Sequence, residues 1–149
     1  MTEISFYHLT TTPLERALPK ILEKSLAAGL RSVVMVENEE QAELLNQVCW
    51  TYDPSAFLPH GGPNDPYPEK QPIYITSKPE APNQPNMLVV TDGSELELSP
   101  ELKKVIDLFD GQNPASVEKA RARWKNYKTA GHTLTYFKQN ESGGWAKQE

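Results

Sequence analysis

Ser32-Val33-Val34-Met35-Val36 is a near-continuous apolar run followed at once by Glu37-Asn38-Glu39-Glu40. An unbroken apolar strand of this length belongs to a parallel sheet buried on both faces. The four residues after it supply a cap and acids that favour a helix N-terminus. Ala42, Leu44, Leu45, Val48 and Cys49 then supply that helix's buried face as far as Trp50. Toward the N-terminus, Ile4-Ser5-Phe6-Tyr7-His8-Leu9 reads as the first strand. Thr10-Thr11-Thr12-Pro13-Leu14-Glu15 reads as a helix start with Thr12 as N-cap, Pro13 at N1 and Glu15 at N3. Leu14, Ala17, Leu18, Ile21, Leu22 and Leu26 form an inward stripe that predicts a helix to Ala28, stopped by Gly29. Pro19 either bends this helix or moves its start downstream. Strand, helix, strand, helix implies a right-handed α/β crossover, so the fold class is α/β.

Residues 51–85 hold nine of the thirteen prolines and the Gly61-Gly62 pair, which predicts a loop-dominated middle. Within it Pro72-Ile73-Tyr74-Ile75-Thr76 reads as a strand, and Asn86-Met87-Leu88-Val89-Val90-Thr91 as the next, closed by an Asp92-Gly93 turn. Leu102, Val105, Ile106 and Phe109 have helical spacing, yet Val105-Ile106-Asp107-Leu108-Phe109 also reads as a strand, and periodicity does not decide between them. Ser116, or Asn113 before Pro114, starts a further helix that Gly131 ends, and His132-Thr133-Leu134-Thr135-Tyr136-Phe137 reads as a last strand. One α/β domain is expected over residues 1–139, with 140–149 a loose tail from which Trp145 tacks back onto the body.

At 149 residues the chain is long enough for a sizeable core without metal or disulfide staples. The lone Cys49 excludes an internal disulfide and a cysteine zinc cage, and reads as a small buried hydrophobe in a reducing compartment. The N-terminus lacks the pattern of a signal peptide and no run approaches a membrane span, so a soluble cytoplasmic protein is expected. No G-x-G-x-x-G or G-x-x-x-x-G-K-[ST] occurs; Thr10-Thr11-Thr12-Pro13 stands where a phosphate cradle would be, and no cofactor is expected. His8, His60 and His132 lie in separate segments without metal-ligand spacing, so no metal site is expected. Asp53, His60 and Asp65 beside Gly61-Gly62 could form an acid/base pocket, although a lone histidine in such a loop more often orders it.

The net charge is −5, yet residues 111–138 carry six Lys/Arg against the single Glu118, a local +5 that leaves −10 for the rest. That inversion centres on Ala120-Arg121-Ala122-Arg123-Trp124-Lys125-Asn126-Tyr127-Lys128 and attracts a locally acidic partner without conferring general affinity for DNA. On a helical wheel Val117 and Trp124 share one line, Arg121, Lys125 and Lys128 lie along one flank, and Ala120 and Tyr127 along the other. An apolar seam beside a basic row suits a peptide with hydrophobic residues and carboxylates. The plainer alternative is that the apolar residues pack into the core above a solvated basic face. A third reading makes Trp124 and Tyr127 stacking platforms for single-stranded nucleic acid. The loop from Trp50 to Gly61, with Trp50, Tyr52 and Phe57, reads either as interface anchors or as a hydrophobic plug at one end of the sheet.

Taken together, the sequence resembles the chi subunit of the bacterial DNA polymerase III holoenzyme. The likeness rests on Phe6-Tyr7-His8-Leu9, Trp50 followed by Asp53-Pro54 and Phe57-Leu58-Pro59-His60-Gly61, and Gln71-Pro72-Ile73. It continues through Asn86-Met87-Leu88, the Val105 to Phe109 stretch, the basic helix from Ala120 to Lys128, Gly131 and Gly144-Trp145. The resemblance implies a Rossmann-like, mostly parallel sheet flanked by helices without a nucleotide site, a monomer by itself, and no enzymatic activity. It implies a partner for the basic helix, the acidic C-terminal tail of single-stranded DNA-binding protein, which ends in phenylalanine. Arg121, Lys125 and Lys128 would engage its carboxylates while Val117 and Trp124 receive the ring. It also implies that Trp50, Phe57, Leu58, Pro59 and His60 face the psi subunit or an equivalent clamp-loader component, with a helicase-like protein as competitor. The rival reading is a degenerate enzyme using His60 and Asp53.

Overall fold

The computed structural model describes residues 3–52, 58–62, 65–78, 80–91, 102–142 and 144–148. Seven strands are defined there: β1 (Glu3–Leu9), β2 (Ser32–Met35), β3 (Ile73–Thr76), β4 (Met87–Val90), β5 (Lys104–Asp110), β6 (Thr133–Gln139) and β7 (Trp145–Gln148). They form one sheet in the order β3-β2-β4-β5-β1-β6-β7, parallel throughout except that β7 runs antiparallel to β6. The helices are α1 (Leu14–Ala27), α2 (Glu39–Thr51) and α3 (Pro114–Thr129), with one 3-10 turn at Pro68–Lys70. This is the Rossmann-like arrangement expected, and no described helix is long and apolar enough to cross a membrane.

The four-residue strands β2, β3 and β4 are buried along their whole length, as continuous apolar runs in a parallel sheet require. The ambiguous 102–109 segment is strand. Between β4 and β1, β5 turns Ile106 and Leu108 to one face and Val105 and Phe109 to the other. Burial of both faces erases the alternation that would have marked it. Leu18 and Leu22 of α1 and Leu45 and Cys49 of α2 cover Val34, Ile75, Val89 and Ile106. On the opposite face α3 packs Ala120, Val117, Trp124 and Tyr127 against Ile4, Phe6, Val105 and Phe109.

Four expectations are corrected. Leu44 is 46% exposed, because the inward stripe of α2 runs through Leu45 and Cys49, one turn apart, and Leu44 lies about 100° away from it. Helix α1 starts at Leu14 despite Pro19, which is buried in its interior and forgoes only the bond to the carbonyl one turn earlier. Pro13, not Thr12, stands at its N-cap, and no side chain caps it. The tail is not loose: β7 pairs with β6 from Gln139 opposite Trp145 to Tyr136 opposite Gln148. The Asn140 side chain holds the turn, accepting from the backbone N–H of Ser142 at 3.1 Å and Gly144 at 2.8 Å. Trp145 does pack on the body, its ring 4.9 Å from Tyr7. The Asp92-Gly93 turn lies outside the described residues.

Candidate functional site

Asn113 caps α3, its Oδ1 accepting from the N–H groups of Ala115 at 3.0 Å and Ser116 at 3.4 Å, with Pro114 in the first turn. The roll of the helix is set from inside. Arg123, counted by the sequence among the basic residues of the surface, is buried against Asp107 of β5, with Nε 2.5 Å from Oδ2 and Nη2 2.8 Å from Oδ1. The signal for this was Asp107 itself, since a carboxylate amid Val105-Ile106 and Leu108-Phe109 demands a buried counter-charge. With Arg123 tied to the sheet, Ala120 is buried, Val117, Trp124 and Tyr127 are half-buried, and Arg121, Lys125 and Lys128 project into solvent. None of these three cations has an acidic partner among the described residues.

Beside α3 lies a cleft of about 280 Å³. Val117, Ala120, Arg121 and Trp124 form its helical wall; Phe6 and His8 of β1, Phe109 of β5 and Tyr136 of β6 line the rest. Trp124 stands edge-on to Phe6 at 5.1 Å and to Tyr136 at 6.2 Å. The few polar groups are the Arg121 guanidinium and the hydrogen-bonded pair of His8 Nδ1 and the Tyr136 hydroxyl. Burial, then the Lys138 ammonium, and to a smaller extent Arg121, hold the His8 pKa below its ordinary value against a backbone hydrogen bond at Gly111. Burial raises the Tyr136 hydroxyl in turn. An apolar slot of about 150 Å³ already accepts benzene, so this cleft has room for an aromatic ring with a carboxylate turned to Arg121.

Of the expected residues, Val117, Arg121 and Trp124 therefore share one cleft, whereas Lys125 and Lys128 continue the same basic flank beyond it. Lys138, outside the cleft lining, was not singled out by the sequence. It lies beside His8 through the β1–β6 register, a proximity that sheet pairing creates and helical spacing does not reveal.

The second constellation is divided. Trp50 is 51% exposed and tilts over the His60 ring at 4.4 Å, and Pro59 is half-buried. Leu58 and His60 are buried, Leu58 within the core beneath α1 and α2. Both His60 ring nitrogens meet backbone carbonyls, Nδ1 that of Leu58 at 2.6 Å and Nε2 that of Asn46 at 3.0 Å. Leu58 and His60 thus shape the loop rather than present contact surface. Asp53 and Phe57 lie outside the described residues.

The turn between β1 and α1 is filled from within the chain. Gln139 Oε1 accepts from the N–H groups of Thr10 at 3.1 Å, Thr11 at 2.9 Å and Thr12 at 3.1 Å, while its Nε2 donates to Thr12 Oγ1 at 2.6 Å. Successive backbone N–H groups of this kind form the anion nest of phosphate-binding α/β proteins. Here a neutral side-chain oxygen holds them, and Thr12 serves Gln139 instead of capping α1. Among the described residues no group of three His, Cys, Asp or Glu is placed to hold a metal ion.

The model of the family described as DNA polymerase III chi subunit, HolC, matches residues 1–135. The chain belongs to the chi family. A relative in Rickettsia prowazekii (strain Madrid E), described as probable DNA polymerase III subunit chi, is 34% identical over 109 residues. That stretch is 73% of this chain and 66% of the relative, so the chain spans just under two thirds of the length of this other chi protein. The chi-family match takes in β1, α3 and every residue that lines the cleft except Tyr136, one position past its end.

Proposed function

We propose that this protein is a non-catalytic adaptor in DNA replication, seating the acidic C-terminal tail of single-stranded DNA-binding protein against α3 and linking it to the clamp loader of DNA polymerase III. One observation carries the reading: an aromatic-lined slot whose rim bears Arg121, a guanidinium with no acidic partner among the described residues. A terminal phenylalanine supplies a ring for the slot and a carboxylate for Arg121, and upstream aspartates meet Lys125 and Lys128. Lys138, beside His8, adds charge at the far side of the slot. Trp50, with Pro59, is the face offered to the clamp-loader component, psi or its equivalent, for which a helicase-like protein would compete. Because each contact is tethered to a larger assembly, micromolar affinity for the tail, about −8 kcal/mol, is sufficient.

Catalysis by His60 is disfavoured by its burial, with a backbone carbonyl against each ring nitrogen. Stacking on single-stranded nucleic acid is served poorly by Trp124 and Tyr127, whose rings pack edge-on against Phe6. Fluorescence anisotropy with a labelled tail peptide tests the proposal. Saturable binding, weakened at least tenfold by Arg121→Ala and by amidation of the peptide's C-terminus, is expected. No saturation at about 100 µM protein, far above the range argued here, overturns it.

A further inference from the structure

The face of the sheet opposite α3 carries a second, larger groove of about 1050 Å³ running beside α1. Its floor is the continuation of the sheet past α1: Tyr7 stacks on Phe137 at 5.0 Å and meets Trp145 edge-on at 4.9 Å, and all three rings are half-buried. Along its bank α1 presents Arg16, Lys20 and Lys24, spaced one turn apart, with Lys104 also lining the groove and Glu15 the one acid among the lining residues. Four of the nine Lys/Arg outside residues 111–138 are gathered here, so an acidic protein inverts its surface charge a second time. Sheets of this class are covered by helices on both faces. On this face α1 and α2 supply the cover, and the groove marks where it stops short of β6 and β7.

We infer that this groove is the docking site for an amphipathic helix of a second protein, with an apolar ridge flanked by Asp and Glu. The fourteen residues of α1 span about 21 Å, so roughly four turns of a partner helix can lie alongside it at the usual 8–10 Å between axes. Its ridge would cover Tyr7, Phe137 and Trp145, and its acids would face Arg16, Lys20 and Lys24. This inference does not rest on the tail-binding reading, because α3 lies on the other face.

The test uses the full chain, isotope-labelled, titrated with end-blocked sixteen-residue peptides and followed by amide shifts and the Trp145 indole signal. One peptide has leucines on a helical stripe flanked by glutamates, a second replaces each glutamate by lysine, and a third scrambles the first. The acidic amphipathic peptide is expected to saturate shifts at Tyr7, Phe137 and Trp145. It should bind at least tenfold more tightly than either control, lose at least tenfold with Lys20→Glu/Lys24→Glu, and be unaffected by Arg121→Ala. The inference is overturned by absence of saturation at about 1 mM peptide, by equal binding of the scrambled or basic peptide, or by shifts confined to α3. Tighter binding of oligothymidylate at these residues, or concentration-dependent self-association that shifts them, also overturns it by naming a different occupant.

Discussion

Arg123 of α3 and Asp107 of β5 face each other in a two-pronged pair at 2.5 and 2.8 Å, buried between helix and sheet. The pair fixes which side of α3 meets the sheet and therefore which residues border the cleft. Arg123→Ala strands a buried carboxylate and is expected to cost about 3–5 kcal/mol, whereas Arg123→Met with Asp107→Leu removes both charges and should recover most of that loss. Urea unfolding of Arg123→Ala and the double variant checks this. Equal destabilisation in Arg123→Ala and the double variant would show that packing, not charge, makes the contact.

His8 titrates below its ordinary value because of burial first and Lys138 next. The unfolded chain therefore binds a proton near pH 6.5 that the folded chain still refuses. The stability that depends on neutral His8 is fully present above about pH 6.5 and is lost as the pH falls through the folded value. Lys138→Gln should raise the folded pKa and narrow that window. Titration of the His8 ring signal by NMR, with melting temperature followed against pH, reads both.

Three N–H groups converge on Gln139 Oε1. Gln139→Ala leaves them without that acceptor and is expected to cost about 1–3 kcal/mol. Gln139→Glu keeps the oxygen, adds negative charge at a helix N-terminus, and should be the milder change. Chemical denaturation ranks the two, and the reverse order would remove the acceptor argument.

Burial pushes the Cys49 thiol up to about 12. It should stay unreactive toward a disulfide reagent at pH 8 in the native protein and react at once in denaturant, because the thiolate is the nucleophile. Reaction in native buffer at the denatured rate would place the thiol at the surface.

The sequence showed β2 and α2 clearly because an apolar run and a capping Asn38, which accepts from the Gln41 N–H at 2.8 Å, are both local signals. It hid β5, whose two buried faces have no alternation, and β7, a polar edge strand held by a turn and one aromatic contact. In the cleft, Val117, Arg121 and Trp124 were legible from helical spacing. His8 and Tyr136 were not, since they reach the same space only through strands that pair across more than a hundred residues.

The position of β1 between β5 and β6 also bears on how the chain is made. β1 has for neighbours two strands synthesised more than ninety residues later. The β2, β3 and β4 group can pair among itself beforehand, but β1 has neither neighbour until β5 is made and lacks the second until β6 follows. Long-range closure of this kind slows folding and prolongs exposure of unpaired strand. β1 is thus a part of the newborn chain in need of shelter, and the seam closed by Gln139 is among the last to be sewn.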